Sequence, residues 1–201
     1  MKKVVKFGGS SLASAGQFKK VGDIIHADCA RRYVVPSAPG KRFPADTKVT
    51  DMLYDCYRAA VTGKDFSQKL KNIKDRYQEI IDGLSLTLSL DSEFDKIEEQ
   101  FRAGAGEDYA ASRGEYLNGI VMAAYLGCTY IDAAEVIFFD ENGNFLAEKT
   151  DQVLSERLEK EERAVIPGFY GSKPDGSVKT FSRGGSDITG SIVAKAVHAD
   201  V

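Results

Sequence analysis

Histidine and cysteine are scarce in these 201 residues, and the scarcity removes whole classes of chemistry. Only His26 and His198 offer an imidazole, and each lies in a helical pattern where a structural role is commoner than a catalytic one. Acyl-transfer triads and zinc hydrolysis therefore drop out. The three cysteines, Cys29, Cys56 and Cys128, are odd in number, far apart and set among apolar helical residues. That spacing argues against a disulfide framework or metal site and for reduced, buried thiols. No apolar run approaches transmembrane length, and the run after Met1-Lys2-Lys3 is too short for a signal segment. A cytoplasmic protein with no membrane partner is expected. Long blocks of one charge are missing too: Lys plus Arg total 27 against 30 Asp plus Glu, a net charge of −3, so nucleic acid is not an expected partner. There is no G-x-G-x-x-G and no Walker A loop, which disfavours dinucleotide-binding and P-loop chemistry. Nor does a Pro-rich linker, repeat or low-complexity tract mark a second domain.

What is present is a series of strand signals, at Val4–Phe7, Tyr33–Val35, Tyr130–Ile131, Val136–Phe139, Ala164–Ile166 and Ser177–Phe181, alternating with helical patterns. This is the signature of an α/β sheet, mostly parallel and covered by helices. Asn142-Gly143 and Pro174-Asp175-Gly176 predict tight hairpins that add antiparallel pieces. A helix is predicted over Ala15 to Arg32, with Phe18, Val21, Ile24, Ile25 and Cys29 on one face. Residues 64–102 read as a helical insertion or cap, with charged amphipathic helices over Lys64–Leu84 and Ser92–Arg102 and a Leu/Ser alternation joining them.

Two glycine turns carry the chemistry. Thr180-Phe181-Ser182-Arg183-Gly184-Gly185-Ser186-Asp187 runs from a strand end into a predicted helix over Ser186–His198. Paired glycines let backbone approach a ligand, Ser186 or Asp187 can cap the helix, and its first N–H groups favour an anion. Arg183 adds a cationic fork for a carboxylate or phosphate. At the other end, Lys6-Phe7-Gly8-Gly9-Ser10-Ser11 forms a second turn of this kind. A third strand end leads into Ser37-Ala38-Pro39-Gly40-Lys41-Arg42, followed by Asp46-Thr47-Lys48-Val49-Thr50-Asp51 opening a helix on which Met52, Leu53 and Cys56 form the apolar face. Taken singly, Asp46 or Thr47 is more often just a helix cap. Three such junctions imply convergence at the C-terminal ends of parallel strands, where α/β sheets bind ligands. Glu115, in Ser112-Arg113-Gly114-Glu115 at the start of an apolar helix, falls on the core side and would need a cationic partner from the protein or from a ligand ammonium. A surface glutamate favoured by the helix dipole is the alternative. Lysine, arginine, glycine amides, hydroxyls and carboxylates without a histidine base suit phosphoryl transfer, and an acceptor that is itself a carboxylate is already ionised near neutral pH.

Taken together and in order, these segments resemble the motifs of aspartate kinases across the whole chain, most specifically Lys6-Phe7-Gly8-Gly9-Ser10-Ser11 and Arg183-Gly184-Gly185-Ser186-Asp187. The resemblance implies the amino-acid kinase fold, a three-layer αβα sandwich of the carbamate kinase type. It implies transfer of the ATP γ-phosphoryl group to the β-carboxylate of L-aspartate, giving 4-phospho-L-aspartate on the route to lysine, threonine and methionine. It also implies roles: Lys6 for the transferring phosphoryl group, with Gly8, Gly9 and Ser10 as phosphate contacts, and Asp187 ordering Lys6. Arg183 would take the substrate α-carboxylate and Glu115 the ammonium, with Thr47, Ser186 and Phe169 completing the pocket. Phe169 suits ordinary core packing as well. Mg²⁺ would be carried by the ATP, with no metal site on the protein, and the full-length protein would be a homo-oligomer.

Where the chain reaches Ala199-Asp200-Val201 the family continues into a strand and its nucleotide-binding segment. Residues 1–201 are therefore expected to be the substrate-binding, N-terminal portion of the kinase domain, with the nucleotide-binding segment and regulatory domain absent and little or no activity alone. Two alternatives stay open: a non-catalytic aspartate-binding module, and a kinase for another small amino acid.

Overall fold

The structure is a computed structural model describing residues 1–182 and 184–201. Strand β1 (Lys3–Phe7) runs into a single 3-10 turn over Gly9–Leu12 and helix α1 (Ala15–His26), which returns to β2 (Arg31–Pro36). Helices α2 (Val49–Val61), α3 (Ser67–Gly83), α4 (Asp91–Arg102) and α5 (Glu107–Leu126) follow, then β3 (Thr129–Tyr130), the one-turn α6 (Ala133–Val136) and α7 (Ala147–Leu158). Strand β4 (Ala164–Val165), the hairpin β5 (Tyr170–Ser172) with β6 (Val178–Thr180), and α8 (Gly185–Ala196) complete the chain. The main sheet has the order β1-β2-β4-β3 and its pairs are parallel, whereas β5 and β6 pair antiparallel in a separate ribbon.

Period-two alternation along the central strands divides the core into two faces. On β2, Val34 joins a cluster with Phe18, Leu53, Tyr77, Phe94 and Leu117, while Tyr33 and Val35 point to the opposite cluster with Leu154, Tyr170 and Val193. Val165 faces the first cluster, and Ala164 and Ile166 the second. Helices α1 to α5 thus cover one face and α6 to α8 the other, a three-layer αβα sandwich. Helix α5 is buried nearly all round, and Gly127 ends it in the left-handed conformation at φ 61°.

Several elements differ from the sequence pattern. Helix α1 stops at His26 instead of reaching Arg32, because Asp28 turns the chain, accepting the Ala30 amide at 2.9 Å and pairing with Lys3 at 2.8 Å, and Arg31 is already in register with Lys3. Cys29 lies in that turn and is exposed, and Cys128 is half-buried; of the three thiols only Cys56 is fully buried. His26 and His198 are both exposed, so neither is a packed structural histidine. Of the expected strand Val136–Phe139, Val136 ends α6, which Asp132 caps, Ile137 is extended, and Phe138 and Phe139 form only isolated bridges, to Ser172 and Phe145. Helix α2 begins at Val49 with no side-chain cap, since Asp46 is engaged elsewhere. The charged segment folds as α3 and α4 joined by residues 84–90, and both hairpin turns are present, with Gly143 at φ 85° and Gly176 at φ 81°.

Candidate functional site

The C-terminal ends of β1, β2 and β4 lie side by side and are laced by backbone hydrogen bonds. The Ser37 amide donates to Phe7 O at 3.0 Å and the Gly168 amide to Pro36 O at 3.1 Å. The loop after β1 and the loop after β2 then meet: the Gly40 amide donates to Gly9 O at 2.8 Å. A Cβ on Gly9 would stand 2.7 Å from Ala38 O, and one on Gly40 2.6 Å from Gly9 C, so both positions require glycine.

Two adjoining cavities open on this edge and share Ser37. The first, about 480 Å³, is lined by Lys6, Ser37, Tyr54, Phe169 and the segment Gly184–Asp187 among others. The second, about 450 Å³, is lined by Gly9, Ser10, Ser37–Lys41, Lys48, Thr50 and Glu115. In the first, Lys6 Nζ lies 2.9 Å from Asp187 Oδ1. Asp187 sits in the first turn of α8, whose N-cap Gly184 adopts φ 78°. The Asp187 amide donates back to Gly184 O at 2.9 Å and the Ser11 amide to Gly8 O at 3.0 Å, while the amides ahead of them at each helix start favour an anion.

Glu115 has the most unusual environment. It lies in the third turn of α5, 7% exposed, so it is not the surface glutamate of a first turn. Its Oε2 has no hydrogen-bond partner, and no ion pair reaches it among the described residues. Burial pushes its carboxyl up to about 7, opposed by the Ala38 amide, its own backbone and the charge of Arg113. Arg113 is itself 6% exposed, stacked on Tyr109, Tyr116 and Tyr170 at 4.5, 4.3 and 5.3 Å and hydrogen-bonded to Ser112 Oγ.

Phe169 forms part of the wall in a conformation that sequence could not disclose. Its φ is 86°, a left-handed value costly for a residue with a side chain. Thr189 Oγ1 holds it by accepting its amide at 3.0 Å, and its carbonyl accepts from Phe181 at 2.8 Å. A Cβ on Gly185 would meet the ring at 2.5 Å, and one on Gly168 would meet Ser186 Oγ at 2.7 Å, so Gly185 makes room for Phe169 and Gly168 for Ser186.

Lys6, Gly9, Ser10, Glu115, Phe169, Ser186 and Asp187 thus gather around Ser37, with Gly8 adjoining Lys6. Thr47 does not join them: it is exposed and lines a separate cavity of about 380 Å³ between α2 and α3. Arg183 lies outside the described residues. Ser37, Lys48, Thr50 and Tyr54 were not singled out from sequence, although the strand-end motif around Ser37 pointed at the loop. Among the described residues no group of three or more His, Cys, Asp or Glu is placed to hold a metal ion.

This edge of a parallel sheet, with its glycine turns, buried acid and lysine–aspartate pair, belongs to a family of small-molecule kinases. The chain belongs to the amino acid kinase family, whose model matches residues 1–201. More particularly, it is similar to aspartokinases: it is 38% identical to aspartokinase 3 of Bacillus subtilis over 99% of this chain and 47% of that protein. The crystal structure of Clostridium acetobutylicum aspartate kinase superposes with a TM-score of 0.96 at 51% identity, covering 100% of this chain and 46% of that one. Escherichia coli aspartokinase III, solved with aspartate and ADP, shares the fold at a TM-score of 0.82 and 24% identity, over 99% of this chain and 47% of that one. The chain spans about half the length of the relatives it matches.

Proposed function

We propose that these residues form the amino-acid side of an aspartate kinase site, at which the ATP γ-phosphoryl group passes to the β-carboxylate of L-aspartate to give 4-phospho-L-aspartate. The observation that carries this is the grouping around Ser37 of a buried acid with no ion-pair partner among the described residues and a lysine–aspartate pair at a helix N-terminus. Glu115 suits the ammonium of an α-amino acid, which would supply a counter-charge to the buried carboxylate. Arg183 takes the α-carboxylate in this scheme, Ser186 and Phe169 bound the pocket, and Thr47 approaches only if its loop shifts toward Glu115. Aspartate and ADP are the ligands of the Escherichia coli structure, and nucleotide use is the common property of kinases.

In the reaction an oxygen of the ionised β-carboxylate attacks the γ-phosphorus, the bond to the β-phosphate oxygen breaks, and ADP leaves. No general base is needed, because the carboxylate carries no proton near pH 7. Lys6 neutralises charge developing on the transferring oxygens, Asp187 holds its ammonium in place, and Gly8, Gly9 and Ser10 offer backbone contacts. Mg²⁺ would arrive with ATP and spread the phosphate charge. The protein acts in the cytoplasm on small molecules, as a homo-oligomer when full length, in the biosynthesis of lysine, threonine and methionine.

Calorimetric titration with L-aspartate tests the substrate; heat of binding that vanishes in Arg183→Ala is expected, and N-acetylaspartate, lacking the ammonium, should not bind. Lys6→Met should lower the rate of ADP formation in the full kinase by about 100-fold or more while changing aspartate affinity little. An unchanged rate would remove Lys6 from the phosphoryl-transfer step. ADP formation by residues 1–201 alone decides whether they suffice for turnover, against ordinary kinase rates of about 1–100 s⁻¹.

A further inference from the structure

The apolar stripe of α3, formed by Leu70, Ile73, Tyr77, Ile80 and Ile81, is interrupted by an arginine. Arg76 is 3% exposed. A leucine or methionine there would pack without the desolvation cost of a guanidinium, so the charge calls for another account. Its partners supply one. Nη1 lies 2.6 Å from Asp46 Oδ2, and Nη2 donates to Gly40 O at 2.7 Å and to Ala13 O at 3.1 Å. These acceptors belong to three places: the end of the Gly9–Leu12 turn, the loop after β2, and the segment leading into α2.

Each is one step from the cavity that holds Glu115. Ala13 follows the turn that contributes Gly9 and Ser10, Gly40 lines the cavity itself, and Asp46 precedes Lys48 and Thr50, which also line it. Asp46 is further clamped by the amide and guanidinium of Arg42, which with Arg76 holds its carboxyl well below the usual carboxylate range. A lysine could keep the charge opposite Asp46 but lacks the planar fork that reaches separated acceptors together.

We propose that Arg76 is a positioning residue of the amino-acid site: from α3 it sets the spacing between the turn after β1 and residues 40–50, and thereby how tightly the amino acid is held. This rests on the reading of that cavity as the aspartate site. It makes α3 part of the binding machinery in addition to the core.

The test uses Arg76→Lys and Arg76→Gln, with Ile73→Val as a control one turn away in the same core. Aspartate affinity is measured by calorimetry, and protection of amides 8–13 and 37–50 by hydrogen exchange. Both Arg76 variants should bind aspartate about 10- to 100-fold more weakly, Gln no better than Lys, and both loops should exchange faster. Ile73→Val should bind as the native protein does, which separates positioning from loss of stability. Native affinity in Arg76→Lys, or an equal loss of affinity in Ile73→Val, overturns the proposal. Failure of the native protein to bind aspartate overturns it as well, and is recognised as the failure of the substrate reading because it precedes any substitution.

Discussion

Burial of Glu115 makes the crevice change charge across the neutral range, and the consequences for stability and binding have opposite signs. With its carboxyl pushed from 4.5 up to about 7, the native state holds a proton there that the unfolded chain releases. Unfolding free energy therefore falls as pH rises through that window, by about 3 kcal/mol in full, and Glu115→Gln should remove this slope in urea titrations at pH 5 and pH 8. Binding of an ammonium needs the ionised form, so aspartate affinity should rise about tenfold between pH 6 and pH 8, and calorimetry at the two values checks it. Affinity independent of pH would remove Glu115 from the ammonium contact. Much at this scale was legible: Lys6 and Asp187 meet as their motifs suggest, and Glu115 faces the core. The left-handed backbone of Phe169 and the reach of Arg76 were not, since both depend on neighbours distant in sequence. A polar residue inside an otherwise apolar stripe was the one available sign of Arg76.

At the scale of elements, α3 and α5 are joined by more than apolar packing. Tyr77, fully buried, donates its hydroxyl to Gly114 O at 2.6 Å, one residue before Glu115. Tyr77→Phe should cost about 1–2 kcal/mol in urea denaturation by leaving that contact unmade. A cost near zero would show that the carbonyl is satisfied within its own helix. Periodicity located α1 to α5 and α8 but misplaced several ends, and it missed α7, whose first residues read as the second arm of a hairpin. Helix α5 begins at Glu107, where the Ala110 amide donates to Gly106 O at 3.2 Å, and α1 ends at His26, where the hydrogen bonds around Asp28 turn the chain; hydrophobic spacing does not register such bonds. Val136 is drawn into the one-turn α6 that Asp132 caps, and Ile137–Phe139, though rich in strand formers, find only isolated bridges to Ser172 and Phe145.

For the whole molecule, the sandwich was legible from strands alternating with helices, and the division of its core follows from the two-residue period of β2 and β4. Less legible was how far residues 64–102 enter that core. Leu70, Ile73, Tyr77, Ile80, Phe94, Ile97 and Phe101 share one cluster with Val34 and Val165 of the sheet, each burying an apolar side chain that contributes about 1.5–3 kcal/mol. Replacing 64–102 by a short linker should therefore abolish cooperative unfolding and near-ultraviolet dichroism and expose dye-binding surface. A cooperative transition in the deletion variant would show that the remaining layers suffice.

The two ends of the chain meet at β1. Lys6 pairs with Asp187, the Asp200 amide donates to Lys2 O at 2.8 Å, and the Val4 amide to Val201 O at 2.9 Å. Such a contact closes a loop of nearly the entire chain, and its entropic cost falls before any reward from it is gained. The lysine–aspartate pair exists only when α8 is docked on β1, so the crevice is incomplete without residues 185–196. Ligand occupancy there would report that these two distant segments have come together.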